Sequence, residues 1–306
     1  MNLYAKLLIA FTLFCTPQAQ AKDAPLRGLA GPTLAFGVSL LRDWETAKPF
    51  INMTKFMRPF KFSSKQGGNI RPRDLPKDTF DENGWVKRIP KTAKFASTIW
   101  HWNKKKAGVA QNKGDYVFTS EGEGQLDLKL DAHVIKRKPG RIEFRNKSGG
   151  PIYFRIRATD PGGTGNYIRN IVLVRKEYEK LHQAGAMFNP RLLAAVSGAR
   201  QIRFMNWMQT NGSNQENWSD RPRLTDATWV SGKGTPVEVI VRLVNEIGAD
   251  PWFTMPHNAN EAYNRAFATY VRDHLDPRLK AYLEHSNELW NGQFRQAEHK
   301  FTRTKC

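Results

Sequence analysis

The sequence predicts an α/β protein in which a β-sandwich is inserted after the first strand of a parallel sheet. Two observations carry this prediction. After Lys176, strand-like segments alternate with helical segments, which is typical of βαβ units and a parallel sheet. Between residues 114 and 176, short segments with apolar residues at every second position follow one another, separated by glycine and proline turns, which is typical of a β-sandwich.

The amino-terminal segments have simple interpretations. Residues 1–21 have a charged start, an apolar run and a final Ala-Gln-Ala, so we expect a secretory signal peptide that is cleaved after Ala21, and a secreted or periplasmic protein. Residues 33–41, TLAFGVSLL, have the apolar character of a buried strand. Apolar residues recur at helical spacing over residues 50–57, which predicts a short helix.

The region before the predicted sandwich strands has no clear period. Residues 60–110 are rich in Pro, Gly, Lys and Asn. Trp85, Trp100 and Trp102 could join Lys104–Lys106 in a patch for an acidic glycan, although a sandwich core with solvated lysines is the simpler interpretation. The predicted sandwich strands lie within residues 114–130, 133–146, 151–160 and 168–176.

The carboxy-terminal half has the alternating pattern of a parallel sheet. The order from the first strand is strand, interrupted helix, inserted sandwich, strand, helix, strand, helix, strand. The predicted helices are residues 177–199, 235–249 and 260–275, and the predicted strands are residues 201–207, 250–257 and 280–288.

Composition narrows the class of partner. The formal net charge is +20, and residues 22–150 hold most of the excess, with 26 Lys and Arg against 13 Asp and Glu, a net charge of +13. Nucleic acid is a poor partner for an exported protein, so an anionic glycan or envelope phosphate is the sensible polyanion, and a solvated basic face is the simplest interpretation. After cleavage Cys306 is the one cysteine left, so no intramolecular disulfide is expected.

Membrane, metal and cofactor functions find little support in the sequence. Apart from the leader, no stretch approaches the roughly 18 apolar residues of a membrane span. The histidines are scattered without ligand spacing, and no glycine pattern for a nucleotide opens a helix. We therefore expect no cofactor and no metal.

The residues at the ends of four predicted strands are polar or aromatic. Carboxyl ends of parallel strands meet at one edge, where binding and chemistry are built. Indoles stack on sugar rings, while amides and imidazoles satisfy hydroxyl groups, so this composition predicts a sugar site. The strand-end segments are Arg42–Trp44, Asn206–Asn211, His257–Asn260 and His285–Trp290.

The last of these segments carries a resemblance. Asn287-Glu288 resembles the Asn-Glu pair of the clan of retaining (β/α)8 glycoside hydrolases that includes cellulases, mannanases and arabinofuranosidases, and Arg203 and His257 match two further positions of that clan. GADPWFTMPH and AYLEHSNELWNGQF are similar to secreted bacterial glycoside-hydrolase-like proteins often labelled cellulose-binding. The resemblance covers about residues 185–296 and extends to 33–60, but not the sandwich.

The resemblance implies a partial (β/α)8 TIM-type barrel of about four strands. Together with the sequence patterns it gives these domains: 1–21 signal peptide, 22–60 first barrel strand and helix, 61–176 inserted β-sandwich with basic loops, and 177–306 barrel strands two to four with their helices, truncated. It makes Glu288 the general acid/base, and Asn287 the contact to the sugar 2-hydroxyl. The other expected substrate-binding residues are Arg203, Asn206, His257 and the stacking platforms Trp44, Trp207 and Trp290. Core packing is the alternative for the tryptophans, and a helix-starting carboxylate is the alternative for Glu288.

One part of the clan's site has no counterpart. Its nucleophile follows a seventh strand and pairs with the clan's arginine, whereas four strands can be counted here, so Arg203 is expected to lack its partner. We expect a truncated copy of a longer enzyme, although two chains could complete a barrel, or an open sheet could serve for binding. The predicted function is an exported glycoside-hydrolase-like protein that acts on or binds a polysaccharide; whether it is an enzyme stays open. The rival is a non-catalytic protein that binds carbohydrate through its sandwich or envelope polyanions through its charge.

Overall fold

The computed structural model describes residues 34–100 and 109–298. The predicted signal peptide, Trp102 and Lys104–Lys106 lie outside these residues. The described part is a mixed α/β structure with three sheets, which confirms the predicted class. In chain order the strands are β1 Ala35–Gly37, β2 Lys61–Ser64, β3 Asn69–Ile70, β4 Ala93–Trp100, β5 Gly114–Glu121, β6 Gly124–Leu130, β7 Ala132–Lys138, β8 Arg141–Asn146, β9 Ile152–Thr159, β10 Arg169–Arg175, β11 Gln201–Arg203, β12 Asp250–Met255 and β13 Tyr282–His285. The helices are α1 Glu179–Gln183, α2 Pro190–Val196, α3 Val237–Ile247 and α4 Glu261–His274.

A four-stranded parallel sheet contains the first and the last strands. Its order is β1-β11-β12-β13, so strands that are neighbours in the predicted sequence of elements are also neighbours in space. The strands are shorter than predicted, since β1 and β11 each have three residues. The sheet is open, and the described residues form no closed barrel, so the predicted barrel is not confirmed.

Two antiparallel sheets are formed by the strands between Lys61 and Arg175. One has the order β10-β5-β8-β7 and the other β3-β2-β4-β9-β6. Three strands, β2 to β4, lie in the region for which the sequence showed no period. Trp85 and Trp100 there are buried, and the Trp100 ring stacks on Phe154 at a centroid distance of 5.6 Å. For these two tryptophans the core interpretation is therefore correct and the surface patch is wrong.

Helices α3 and α4 cover one face of the parallel sheet. α3 starts after Pro236 and ends at Gly248, whose φ of 74° is a left-handed conformation that glycine adopts without strain. In α4, the side chain of Asn260 caps the helix by accepting a hydrogen bond from the Tyr263 amide. The ring of Phe253 on β12 meets Phe267 of α4 edge to face at 5.1 Å. Because side chains alternate along a strand, the β12 residues at even spacing from Phe253 lie on the face of the sheet that the helices cover.

Two predicted helices are interrupted. Residues 177–199 form the separate helices α1 and α2, because Asn189 caps the second helix through its side chain and Pro190 starts it. The predicted helix at residues 50–57 is reduced to one 3₁₀ turn, Met53–Phe56, because Met57 already has an extended backbone. The helical spacing of apolar residues thus predicted helical structure in both segments, but each helix is shorter than predicted.

One continuous apolar core joins the parallel sheet to the antiparallel sheets. Buried residues of both parts, such as Ile202 and Phe154, belong to the same cluster. Phe50 lies at the junction, where its ring contacts Trp229 at 4.7 Å and Trp207 at 5.3 Å. Within residues 34–100 and 109–298, no helix has the length and apolar character needed to cross a membrane.

Candidate functional site

The Arg203 side chain links β11 to β13, the two strands on either side of β12 in the four-stranded parallel sheet. Its guanidinium donates from Nε to Glu284 Oε2 at 3.0 Å and from Nη2 to Glu284 Oε1 at 2.9 Å. Arg203 lies on β11 and Glu284 on β13, and the guanidinium passes over the ring of Trp252 on the intervening β12, at 5.2 Å from the centroid. The ion pair therefore crosses the sheet near the carboxyl ends of the strands.

This ion pair corrects the expectation that Arg203 lacks a partner. The partner is Glu284, two strands away, and sequence analysis missed it. The register pairs Arg203 with Trp252 and Trp252 with Tyr282, so these side chains share a face, and Glu284, two residues after Tyr282, shares it too. In YLEH, residues 282–285, every second side chain lies on the same face of the strand, and this alternation is the sequence signal that could have placed Glu284 on the face of Arg203.

Asn287 is held in one orientation by the same network. Its Oδ1 accepts a hydrogen bond from Arg203 Nη2 at 2.8 Å, and its Nδ2 donates to Asn211 Oδ1 at 2.9 Å. Gln296 Nε2 donates to the Asn287 carbonyl oxygen at 2.9 Å and to Asn211 Oδ1 at 2.7 Å. Asn287 is 4% exposed. The structure thus brings together two of the predicted site residues, Arg203 and Asn287, and supports them with two that were not predicted to act in this way.

Glu288 follows Asn287 in an uncommon backbone conformation. Its φ is 45° and that of Ser286 is 61°, a region that non-glycine residues occupy rarely and that is enriched at functional sites. Asn291 Nδ2 donates to Glu288 Oε2 at 3.0 Å, and the carboxylate is partly exposed. The hydroxyl of Ser286 is buried and has no hydrogen-bond partner among the described residues. A reachable carboxylate therefore lies beside a strained turn and a fixed amide.

Asn206 and His257 are the two other predicted polar contacts. The Asn206 side chain donates to the Val38 carbonyl oxygen at 3.0 Å, which ties the segment after β11 to the segment after β1. His257 follows β12 and is buried. Asn206 thus has a structural contact that the sequence did not predict, and a role in binding for either residue stays a prediction.

The three predicted tryptophan platforms have different environments. Trp207 is 2% exposed and packs against Phe50 and Phe204, as the core-packing alternative expects, and its stacking role stays a prediction. Trp44 is 43% exposed, with the guanidinium groups of Arg42 and Arg58 at 5.4 Å and 5.2 Å from its ring. Trp290 is 79% exposed, two residues after Glu288. Two of the three indoles can therefore meet a ligand.

No cluster of three or more His, Cys, Asp or Glu that could hold a metal ion occurs in the part of the chain that the structure describes. The chemistry available at the strand ends is that of amides, carboxylates, one guanidinium and exposed indoles. These groups suit a hydroxylated, uncharged ligand, because they offer donors and acceptors in fixed positions and flat apolar surfaces.

Comparison with known proteins gives few matches. No protein-family model matches the sequence, and no curated protein matches it. Among solved structures, the chain is similar to two of β-glucosidase from Kluyveromyces marxianus, one selenomethionine-labelled and one in complex with glucose, each at 12% identity, with TM-scores of 0.23 and 0.22. The alignments cover 64% of this chain and 24% of the β-glucosidase chain. This chain thus spans about a quarter of that protein, and TM-scores this low do not establish a shared fold.

Proposed function

We propose that this protein is an exported glycoside-hydrolase-like protein that binds a polysaccharide at the carboxyl ends of its parallel strands. The single observation that carries the proposal is the hydrogen bond from Arg203 to Asn287. Arg203, which is itself held by the ion pair to Glu284, fixes the orientation of the Asn287 side-chain amide. One lone pair of Asn287 Oδ1 accepts from Arg203, and one N–H of Nδ2 donates to Asn211. The second N–H and the second lone pair of the amide are the groups that would meet sugar hydroxyls.

Trp290 provides the apolar surface that a sugar ring requires. Its indole is almost fully exposed and lies two residues after Glu288, whose carboxylate has one oxygen anchored by Asn291. The exposed indole presents a flat apolar surface and one N–H donor, the combination that can stack on a sugar ring while it binds a hydroxyl group. The proposal therefore places one sugar unit against Trp290, with Asn287 and Glu288 along its polar edge.

Binding to insoluble cellulose, chitin and alginate beads tests this proposal. We expect at least one of these to retain the protein, and we expect Trp290→Ala to weaken retention about tenfold, as truncation of an aromatic anchor does. Leu181→Ala is the matched control, because Leu181 is an exposed apolar residue on α1 and should leave retention unchanged. Equal retention of the wild type and Trp290→Ala would contradict the proposal.

Hydrolysis requires more than binding. A retaining mechanism needs a nucleophilic carboxylate about 5 Å from the acid/base. Within the described residues the carboxylate that lies nearest in the network, Glu284, is engaged by Arg203 through both oxygens. We therefore expect no turnover of aryl glycosides by this polypeptide. Turnover that is lost in Glu288→Gln would show instead that Glu288 is a working acid/base.

A second candidate function rests on the sandwich. A groove of about 690 Å³ lies at one side of it, and its basic lining residues outnumber the single acidic one, Asp127, which is paired with Arg157 at 2.5 Å. Arg137 and Lys138 on the edge strand β7 are exposed. This groove favours a polyanion-binding role. Retention on alginate that falls steeply with salt, and that Lys138→Gln weakens while Trp290→Ala does not, would support this candidate over the first.

A further inference from the structure

A cavity of about 350 Å³ lies where three parts of the chain meet: the segment after β1, the ends of β5 and β10, and helix α2. Neither Arg203 nor Asn287 lines it, so it is separate from the strand-end site. Its volume falls in the range of roughly 300–1,000 Å³ that is common for small-molecule sites. The inference that follows does not depend on the proposed function.

The charged side chains that line this cavity are all positive. Lys48, Arg175 and Arg191 line it, whereas none of the described lining residues is an Asp or a Glu. Arg175 is partly neutralised, since its Nε donates to Glu177 at 2.6 Å. Arg191 is exposed at the entrance, at the first turn of α2. A site with positive charges and no acidic lining favours a negatively charged ligand.

Lys48 donates to a backbone carbonyl oxygen and not to a carboxylate. Its Nζ donates to the backbone carbonyl oxygen of Asp43 at 2.7 Å, while the carboxylate of Asp43 is bound by Arg58 at 2.8 Å. The pKa of Lys48 is lowered to about 8, chiefly because burial removes water from the ammonium group, although Asp43 and Glu45 oppose this effect. The ammonium has three N–H donors, so an anion in the cavity would find donors to accept from.

The walls of the cavity are held in place. Ile51 donates from its backbone to the Met187 carbonyl oxygen at 2.9 Å, and Asn189 to that of Pro49 at 2.8 Å, so the segment that carries Lys48 is fixed against the segment before α2. On the other side, the hydroxyl of Tyr116 donates to the Asn112 carbonyl oxygen at 2.7 Å and accepts from Arg175 at 3.2 Å. A preformed cavity loses little conformational entropy when a ligand enters.

The remaining lining combines polar and apolar groups. The side chains of Gln111 and Asn189 provide amides, and Phe50, Ile51 and Leu192 provide an apolar surface. We propose that this cavity binds one acidic sugar unit, a monosaccharide that carries a carboxylate or a phosphate, with its acid group against Lys48. The amides would meet the hydroxyl groups, and the apolar side chains would meet the carbon face of the ring.

Isothermal titration of the full chain with glucuronate, glucose 6-phosphate and neutral glucose, at about pH 7, tests this proposal, since Lys48 is charged there. We expect at least one of the two acidic sugars to bind about tenfold more tightly than glucose, and Lys48→Gln to remove about tenfold of that affinity, as loss of a charge-assisted hydrogen bond does. Tighter binding of glucuronate would identify a carboxylate as the preferred acid group of the ligand, and tighter binding of glucose 6-phosphate would identify a phosphate.

Lys55→Gln is the matched control. Lys55 is also a partly buried lysine whose pKa is lowered to about 8, but it donates to the carbonyl oxygens of Leu224 and Asp226 and does not line the cavity. We expect it to leave the affinity unchanged. Arg191→Gln, at an exposed position, is the second test variant should Lys48→Gln fail to fold, and we expect a loss of roughly threefold.

Three results would overturn the proposal. The first is that neither acidic sugar binds the wild-type protein. The second is that glucose binds as tightly as both acidic sugars. The third is that folded Lys48→Gln, or Arg191→Gln in its place, binds the acidic sugars as tightly as the wild type does.

Discussion

The carboxylate of Glu284 accepts hydrogen bonds from Arg203 through both of its oxygens, although the two residues lie on strands that do not pair with each other. Both side chains are about one quarter exposed. The pair is therefore partly screened by solvent, and its contribution lies between that of a surface pair and that of a buried one. Because Arg203 also donates to Asn287, the pair supports the candidate site.

Substitution of Glu284 tests this pair. We expect Glu284→Gln to lower the free energy of unfolding by about 1–2 kcal/mol, because the charge of the pair is lost and one of the two carboxylate oxygens that accept from Arg203 is replaced by an NH2 donor. Urea unfolding measures the change. Glu261→Gln is the matched control: Glu261 pairs with Arg265 on the exposed face of α4, where we expect about 0.5 kcal/mol or less. Equal effects of the two variants would contradict a special role for the Arg203 pair.

Gln296 tests the support of Asn287. We expect Gln296→Glu to cost about 2 kcal/mol of stability, because the substitution removes an N–H donor from the Asn287 carbonyl oxygen, in a buried hydrogen bond, and from Asn211 Oδ1, in a part-buried one. Gln293→Glu, the same change at an exposed position three residues earlier, should cost little. Thermal unfolding followed by circular dichroism would show the difference, and an unchanged midpoint in Gln296→Glu would contradict the network.

Two partly buried lysines predict how the free energy of unfolding depends on pH. Burial lowers the pKa of both Lys48 and Lys55 to about 8, whereas an unfolded lysine keeps its ordinary value of 10.5. Between these values the unfolded chain binds more protons, so stability rises as pH increases from about 8 to 10. We expect a rise of roughly 1 kcal/mol per lysine up to about pH 9.5, after allowance for partial exposure.

Urea midpoints at about pH 7 and about pH 9.5 measure this rise, which Lys55→Met should reduce by about half. The range ends there because burial raises the pKa of Tyr116 to about 12, and its effect opposes that of the lysines once an unfolded tyrosine ionises near pH 10. A flat dependence, or a fall in stability over this range, would contradict the prediction.

Two glycines in one loop differ in the space around them. A Cβ at Gly234 would lie 2.4 Å from the Trp207 carbonyl oxygen, whereas a Cβ at Gly232 would meet nothing within 4 Å, and both residues have φ near 90°. We expect Gly232→Ala to cost about 1 kcal/mol, from backbone strain alone, and Gly234→Ala to cost about 3 kcal/mol or more. Similar unfolding midpoints for the two variants would show that the backbone near Trp207 can move aside.

Local sequence patterns predicted the order of the parallel strands, the helices α3 and α4, and the strands β5 to β10, because these elements have a clear period of 3.6 or 2. They failed where structure depends on distant contacts. In the region from Lys61 to Trp100, the strands β2 and β3 are short, and the longer β4 pairs with β9, far along the chain, so local sequence carries little of the pattern. Glu284 was missed because its partner, Arg203, is 81 residues away in sequence.

The site residues show the same limit. Asn287 was predicted from its position at a strand end and from the resemblance, and Arg203 from the resemblance alone; the structure joins them by a hydrogen bond. Trp207 occupies an equivalent position in sequence but lies in the core, because Phe50 from the segment after β1 packs against its ring. Position at a strand end predicts which residues are near a site, whereas exposure depends on what the neighbouring segments cover.

The continuous apolar core determines how the protein unfolds on heating. Because Phe50, Trp229 and the rings around Phe154 belong to one cluster, the parallel sheet and the two antiparallel sheets should lose structure in a single calorimetric transition. Phe154→Ala, which creates a cavity in the antiparallel sheets, would then lower the temperature at which the strand-end site unfolds, although Phe154 is not a residue of that site. Heat sensitivity in this protein is thus shared between its two parts.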